Sequence, residues 1–425
     1  MAVIENRIEP MRIAHVLRKY NPAEWGGTET AVKQLIDGLK QEQFESVVYC
    51  PKLERPPARD PLAEEGHSLK RYSAFVPVFN LSEEQHAQLV AIGGNLMSFD
   101  LFGGLLAERN LSLIHTHTLN RIGGIALTVA RLRRIPLVVT IHGGVLDLPK
   151  SVQQTLSAPL EDGFEWGKVF GAVFRSRHVL RDADAIVTCN PKEAELQKEQ
   201  FPEKRILVQP HGVPIAKYSQ DHRQQALEAF PTLASPRIIL IVGRIDPVKN
   251  QGWVLVQMPE ILKKYPDATL VLAGSCTDEL YGKALRKEVR RLGIEDKVLF
   301  TGGLPPADPR LIGLMQLASV VIVPSLSETF GLIILEAWAA GAAVLSTRTS
   351  GALSLVKQAE NGHLFNLNDL PEFHAGLNAI LDSPEQAKRL GSNGRDLAAS
   401  HYDTVILSRR IKALYEELIE QKGKR

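Results

Sequence analysis

A chain of 425 residues, 44% hydrophobic and 23% charged with a net charge of +2, is too long for one core and too evenly charged for nucleic acid to be its main partner. No apolar run reaches the roughly 20 residues of a membrane-spanning helix. The first ten residues, MAVIENRIEP, have no hydrophobic signal core, which points away from secretion, and they read as a loosely packed lead-in. Three scattered cysteines, Cys50, Cys189 and Cys276, lack metal-ligand spacing and are expected as reduced, buried thiols of a cytoplasmic protein.

A strand over residues 12–17 (RIAHVL) starts a rhythm of short apolar strands alternating with amphipathic helices. Further strands are predicted over 46–50, 113–117, 137–142, 185–189 and 206–209, with helices over 30–40 and 123–133 among them. After His211 the rhythm restarts, with strands over 238–242, 269–273, 298–301, 320–323, 343–346 and 363–365. From about residue 370 strand signals stop and terminal helices are expected. Short apolar strands followed by helices predict parallel sheets covered on both faces. Two such series predict an α/β fold of two Rossmann-like doubly wound parallel-sheet domains facing a central cleft. The expected domains are residues 1–212 and 213–400, followed by a terminal helix over 401–425. The polar, proline-punctuated stretch 213–236 is the expected connection between them.

Candidate chemistry gathers at the strand ends. Residues 21–29 (NPAEWGGTE) follow the first strand; Gly26 and Gly27 let a backbone approach a ligand, and Thr28 is placed to cap the next helix. A plain βα turn would look the same, and the absence of G-x-G-x-x-G excludes a dinucleotide fingerprint. His115 and His117 share one face of their strand, and His142 ends the next strand before Gly143 and Gly144. No third metal ligand with suitable spacing accompanies them, and a core role is as simple a reading, above all for His115. Asp182 and Asp184, in D-A-D, read as solvated turn residues rather than metal ligands.

In IVGRIDPVKN, Arg244 and Lys249 stand five positions apart across a turn. A diphosphate taken out of water needs about two compensating cations, and a guanidinium fork with an ammonium point charge suits it. Two solvated surface charges would leave the same trace. The loops GSCT (274–277) and GGLP (302–305) end neighbouring strands, and the first reads equally as a plain turn. In PSLSETFGLIILEAWAAG (324–341), Pro324, Ser325 and Ser327 make a turn after an apolar strand, and Gly331 opens an Ala-rich helix that Gly341 closes. The N–H groups near Phe330 to Ile333 then face the turn and favour a phosphate, with Glu328 and Glu336 on either side.

Glu328 and Glu336 form a Glu-x7-Glu pair, and its setting SETFGLIILEAWAAG closely resembles the signature of retaining glycosyltransferases of family 4, which have the GT-B fold. The resemblance implies that Glu328 contacts donor-sugar hydroxyls and that Glu336 grips the nucleotide ribose. It implies backbone contacts from Phe330, Gly331 and Leu332 to donor oxygens, from Leu304 to the base, and from Gly26 and Gly27 near the diphosphate. Arg244 and Lys249 match the family's diphosphate-binding pair, a histidine at His142 lies beside the donor sugar, and His117 lines the acceptor side. The last helix is implied to cross back onto the first domain.

The expected activity is hexosyl transfer with retention, by front-face attack, without metal or cofactor; His142, Glu328, Arg244 and Lys249 would carry the catalysis. The donor is expected to be a UDP-sugar such as UDP-glucose, with GDP-mannose next, and the acceptor a glycan, a lipid-linked glycan or a small molecule. A lipid-linked acceptor would bring peripheral membrane contact through the basic residues of 131–134 and 175–181. A sugar-nucleotide epimerase of the same fold and a non-catalytic glycosyltransferase-like subunit are the alternatives.

Overall fold

The computed structural model describes residues 11–22, 26–53, 60–78, 96–142, 168–233 and 237–424. The expected lead-in (1–10), residues 23–25 of the first glycine loop, and Gly143 and Gly144 lie outside the described residues.

Two parallel sheets organise the described residues. The first contains β1 (Arg12–Val16), β2 (Glu45–Pro51), β3 (Ser68–Tyr72), β4 (Leu111–Thr116), β5 (Leu137–Ile141), β6 (Ala185–Thr188) and β7 (Arg205–Val208), in the order β3-β2-β1-β4-β5-β6-β7. The second contains β8 (Arg237–Val242), β9 (Ala268–Ala273), β10 (Val298–Gly302), β11 (Val320–Val323), β12 (Val344–Thr347) and β13 (His363–Phe365), in the order β10-β9-β8-β11-β12-β13. Each order reverses beside its first strand, at β1/β4 and β8/β11, where the chain leaves neighbouring strands toward opposite faces. Both domains are therefore Rossmann-like and doubly wound, as the rhythm predicts. Central strands such as β11, VVIV, are buried throughout because helices cover both sides. Periodicity misses β3, SLKRY, a largely polar edge strand with no continuous apolar run.

Contacts group the chain into two compact units. One takes the residues up to Pro22, Leu35–Gln209, and Ser408 onward; the other takes the stretch up to Gln34, which begins the helix Gly27–Gln41, and Pro210–Leu407. In the first unit, Ile411, Leu414, Tyr415 and Leu418 of the helix Thr404–Gly423 share a buried cluster with Ile13, Leu39, Leu113, Val138 and Val187.

Three expectations need correction. The stretch expected as a polar connection is folded: it forms the helices Ile215–Tyr218 and Arg223–Ala229, which bury Tyr218 and Ala226 and turn their polar faces outward. Asp182 and Asp184 are pinned rather than solvated. Arg131, Arg175 and Arg181 converge on Asp182 at 3.1, 2.9 and 3.0 Å. Asp184 accepts the Leu137 N–H at 2.9 Å and pairs with Lys422 at 2.8 Å. Finally, Cys50 and Cys189 are buried, but Cys276 is exposed because it lies in a loop past the end of β9.

The helix Leu332–Ala339 is anchored by Trp338, which is fully buried and donates its indole N–H to the Asn361 carbonyl at 2.9 Å. The helix Pro384–His401 lies so close that a Cβ at Gly394 would fall 2.3 Å from the Trp338 ring. Gly394→Ala is therefore expected to cost about 2 kcal/mol by overpacking, read as a lower denaturant midpoint.

Candidate functional site

The site in the second unit is built from loops at the carboxyl ends of adjacent strands. After β8 the chain turns at Gly243, whose φ is +148°. The GSCT loop meets it backbone to backbone: a Cβ at Gly274 would sit 1.9 Å from the Gly243 carbonyl oxygen, and the Ile245 N–H donates to the Ser275 carbonyl at 2.8 Å. Asp246 accepts the Lys249 N–H at 3.0 Å and pairs with the Arg244 guanidinium at 3.2 Å. Buried Gln251 donates to the Arg244 carbonyl at 2.7 Å. The turn that separates the two cations is thus fixed from inside.

Two hydrogen bonds carry this turn onto the loop after β11. Asn250 donates to the Pro324 carbonyl at 3.2 Å, and the Leu326 N–H donates to the Val248 carbonyl at 2.8 Å. Lys249 Nζ then reaches Glu328 Oε2 at 2.6 Å, with side chains 22% and 18% exposed. Gly331 caps the following helix at φ +85°, a left-handed conformation that favours glycine, and Gly341 closes it at φ +84°. The helix opens with the N–H groups of Leu332 and Ile333, close to Glu328 in sequence, and the Ile334 N–H donates back to the Gly331 carbonyl at 2.9 Å.

The helix Ser350–Leu355 grips the loop from behind. The Gly351 N–H and the Ser350 hydroxyl donate to the Glu328 carbonyl at 2.7 and 3.2 Å. A Cβ at Gly351 would lie 2.6 Å from the Phe330 backbone. Sequence reasoning missed Gly351; its trace is the T-S-G that follows β12.

Other predicted residues lie around this core. Phe330 is buried, with its ring 4.9 Å from that of His211 and 6.2 Å from that of Tyr402. A Cβ at Gly27 would be 4.0 Å from Leu332 Cδ1, which brings the first glycine loop to the helix end. Helix Gly27–Gln41 starts before Thr28, so Thr28 is not its cap; the Glu29 carboxylate instead accepts the Gly26 N–H at 3.1 Å. Leu304 is half-buried in the GGLP loop, whose Gly303 backs onto Ser275. Glu336 is only 8% exposed, and burial raises it from its ordinary 4.5 to about 7 against the opposing effect of the Tyr218 hydroxyl.

In the first unit, the structure brings His117 and His142 together, with 2.7 Å between Nδ1 and Nε2. It adds His15, which stands opposite His115 in the β1/β4 register and lies 3.1 Å from His117. Ligand atoms of His15, His115 and His117 fall within 4.8 Å of one another, so a third candidate ligand does exist. Spacing analysis missed it because it comes from a strand far away in sequence. His115 faces elsewhere, bonding Thr140 Oγ1 and the Tyr415 hydroxyl. Burial lowers His15 to about 3 and His115 well below its ordinary range, which keeps both neutral.

Comparison with known proteins finds the family described as "Glycosyl transferase 4-like domain" over residues 26–212 and "Glycosyl transferases group 1" over residues 223–397. A D-inositol 3-phosphate glycosyltransferase of Corynebacterium efficiens is 26% identical across 79% of this chain and 77% of its own length. A glycogen synthase of Mycobacterium tuberculosis is 24% identical across 98% of this chain and 96% of its own. Among solved structures, HepE of Anabaena in complex with UDP superposes with a TM-score of 0.71 at 19% identity, covering 96% of this chain and 100% of that one. The same protein in complex with UDP-glucose gives 0.70.

Glu336 makes stability depend on pH. Its folded-state value lies above that of the unfolded chain, so its favourable contribution is complete below about 4.5 and is lost as pH rises through about 7. The full change is worth up to roughly 3 kcal/mol. Glu336→Gln is expected to flatten the decline of Tm between pH 4.5 and 7.5 and to be the more stable protein at pH 8, which calorimetry across that range checks.

Proposed function

The chain belongs to the glycosyltransferases of the GT-B fold, and on that premise we propose that it moves a hexose, with retention, from a UDP-sugar such as UDP-glucose to a glycan, lipid-linked glycan or small-molecule acceptor. The observation that carries this reading is the Lys249–Glu328 pair, set just before the Gly331 helix end and beside the Arg244–Asp246 pair. An arriving diphosphate offers each cation a charged oxygen in place of its carboxylate, so neither cation is left unpaired during the exchange. Glu328, released from Lys249, then faces the sugar hydroxyls, and Glu336 takes the ribose. Gly26, Gly27, Phe330, Gly331 and Leu332 offer backbone to the donor's oxygens, and Leu304 offers backbone to its base.

In the proposed step, the acceptor oxygen bonds to the anomeric carbon on the face from which the phosphate oxygen departs. The acceptor proton passes to that departing oxygen. Charge growing on the diphosphate is met by Arg244, Lys249 and the helix N-terminus, so no step is assigned to a metal or cofactor. His142 contacts the donor sugar, and His117 lines the acceptor side.

HepE crystallised with UDP and with UDP-glucose supports the choice of donor, and the relatives' names favour hydroxyl-rich acceptors such as a phosphorylated cyclitol or a glucan. No helix among the described residues is long and apolar enough to cross a membrane. For a lipid-linked acceptor, the face assigned to the membrane surface carries the arginines around Asp182 together with exposed Leu132 and Val173.

Nucleotide sugars screened for thermal protection test the donor, and UDP-glucose is expected to raise Tm. In the Arg244→Ala/Lys249→Ala double variant that protection is expected to vanish, and transfer to fall by about a thousandfold or more. Near-normal transfer by the double variant overturns the proposal. Conversion of the donor without any acceptor favours the epimerase, and an inverted product by NMR removes retention.

A further inference from the structure

Three buried or half-buried histidines of the first unit form a single line. Ser46 Oγ lies 3.4 Å from His15 Nε2, His15 Nδ1 lies 3.1 Å from His117 Nε2, and His117 Nδ1 lies 2.7 Å from His142 Nε2. Ser46 and His15 stand on the adjacent strands β2 and β1, while His117 and His142 follow the ends of β4 and β5. His115 is not part of the line, although its ring lies 4.2 Å from that of His117; Thr140 and Tyr415 take both of its nitrogens.

A neutral imidazole donates from one nitrogen and accepts at the other. The line therefore admits two proton orders, with all three residues Nε2–H or all three Nδ1–H. Moving one proton alone would set two N–H groups, or two lone pairs, against each other in a buried place where an unmade hydrogen bond costs most. A charged imidazole at His15 is no escape, because burial holds that group near 3.

We propose that His15 is a positioning residue which, acting through His117, fixes His142 as the Nε2–H tautomer with the lone pair on Nδ1. The Ser46 hydroxyl completes this order by accepting from His15 Nε2–H, and Nε2–H is also the form that a free histidine side chain favours. The consequence for catalysis rests on the functional reading above. A fixed proton order holds the His142 ring in one orientation beside the donor sugar, and a ring that exchanges its proton order does not keep that orientation.

The test is two-bond ¹⁵N–¹H correlation spectroscopy on full-length protein labelled at histidine. His15, His117 and His142 are all expected to show the Nε2–H pattern at neutral pH. An Nδ1–H or charged pattern at any of them overturns the proposal, as does a stoichiometric transition metal held by His15 and His117 in the purified protein. In His15→Phe, which keeps a ring but no ring nitrogen, His142 is expected to become a mixture of tautomers. Its transfer from UDP-glucose is expected to fall about five- to tenfold, the worth of roughly one oriented hydrogen bond. An unchanged His142 pattern in the folded variant overturns the proposal, and the wild-type spectrum decides alone if the variant does not fold. The spectra need no substrate, so a wild-type protein that transfers no glucose would defeat the functional reading and leave this test intact.

Discussion

A carboxylate and an ammonium 2.6 Å apart, Glu328 and Lys249, join the turn after β8 to the turn after β11. The sheet order makes their meeting possible, because β8 and β11 are neighbours at the reversal of winding and their carboxyl ends open side by side. Stronger, less exchangeable restraints fix the backbones. The Gly243–Gly274 approach, the Asn250 and Leu326 bonds and the grip of Gly351 on the Glu328 carbonyl all act without the two charges. The frame therefore does not depend on the partners that the two charges keep.

Much of this frame was legible in the sequence. Every predicted strand exists; most are buried on both faces and so are short apolar runs, which survive without knowledge of their neighbours, while the edge strands β7 and β10 are only partly covered. Arg244, Lys249, Glu328 and Gly331 could be singled out because their chemistry is local, lying within one turn or one helix end. Gly351 was not legible as a site residue, and the GSCT loop at Gly274 read equally as cleft lining and as a plain turn, because a backbone approach leaves no side-chain signature. His15 escaped because its partners come from strands that are distant in sequence. Asp182 was misread for the same reason: two of its three arginines, Arg131 and Arg175, stand away from the D-A-D triplet.

The two units place their titratable groups in different surroundings. In the second, cations and carboxylates sit on loops at strand ends, partly exposed and paired. In the first, burial removes the charge of His15 and His115, and ring-to-ring hydrogen bonds run from His15 to His117 and on to His142. Glu336 stands between these regimes, a helix carboxyl buried enough that neutral pH falls within its titration.

The return of the helix Thr404–Gly423 to the first unit has a consequence for biosynthesis. Tyr415 closes the buried cluster around Ile13 and Leu113 and bonds His115, a partner 300 residues earlier in the chain. At about 5–20 residues per second, a ribosome takes on the order of 15–60 s to pass from one to the other. Throughout that interval the cluster around Ile13 and Leu113 lacks the helix that covers it, so this core closes only once the C-terminal helix has been made.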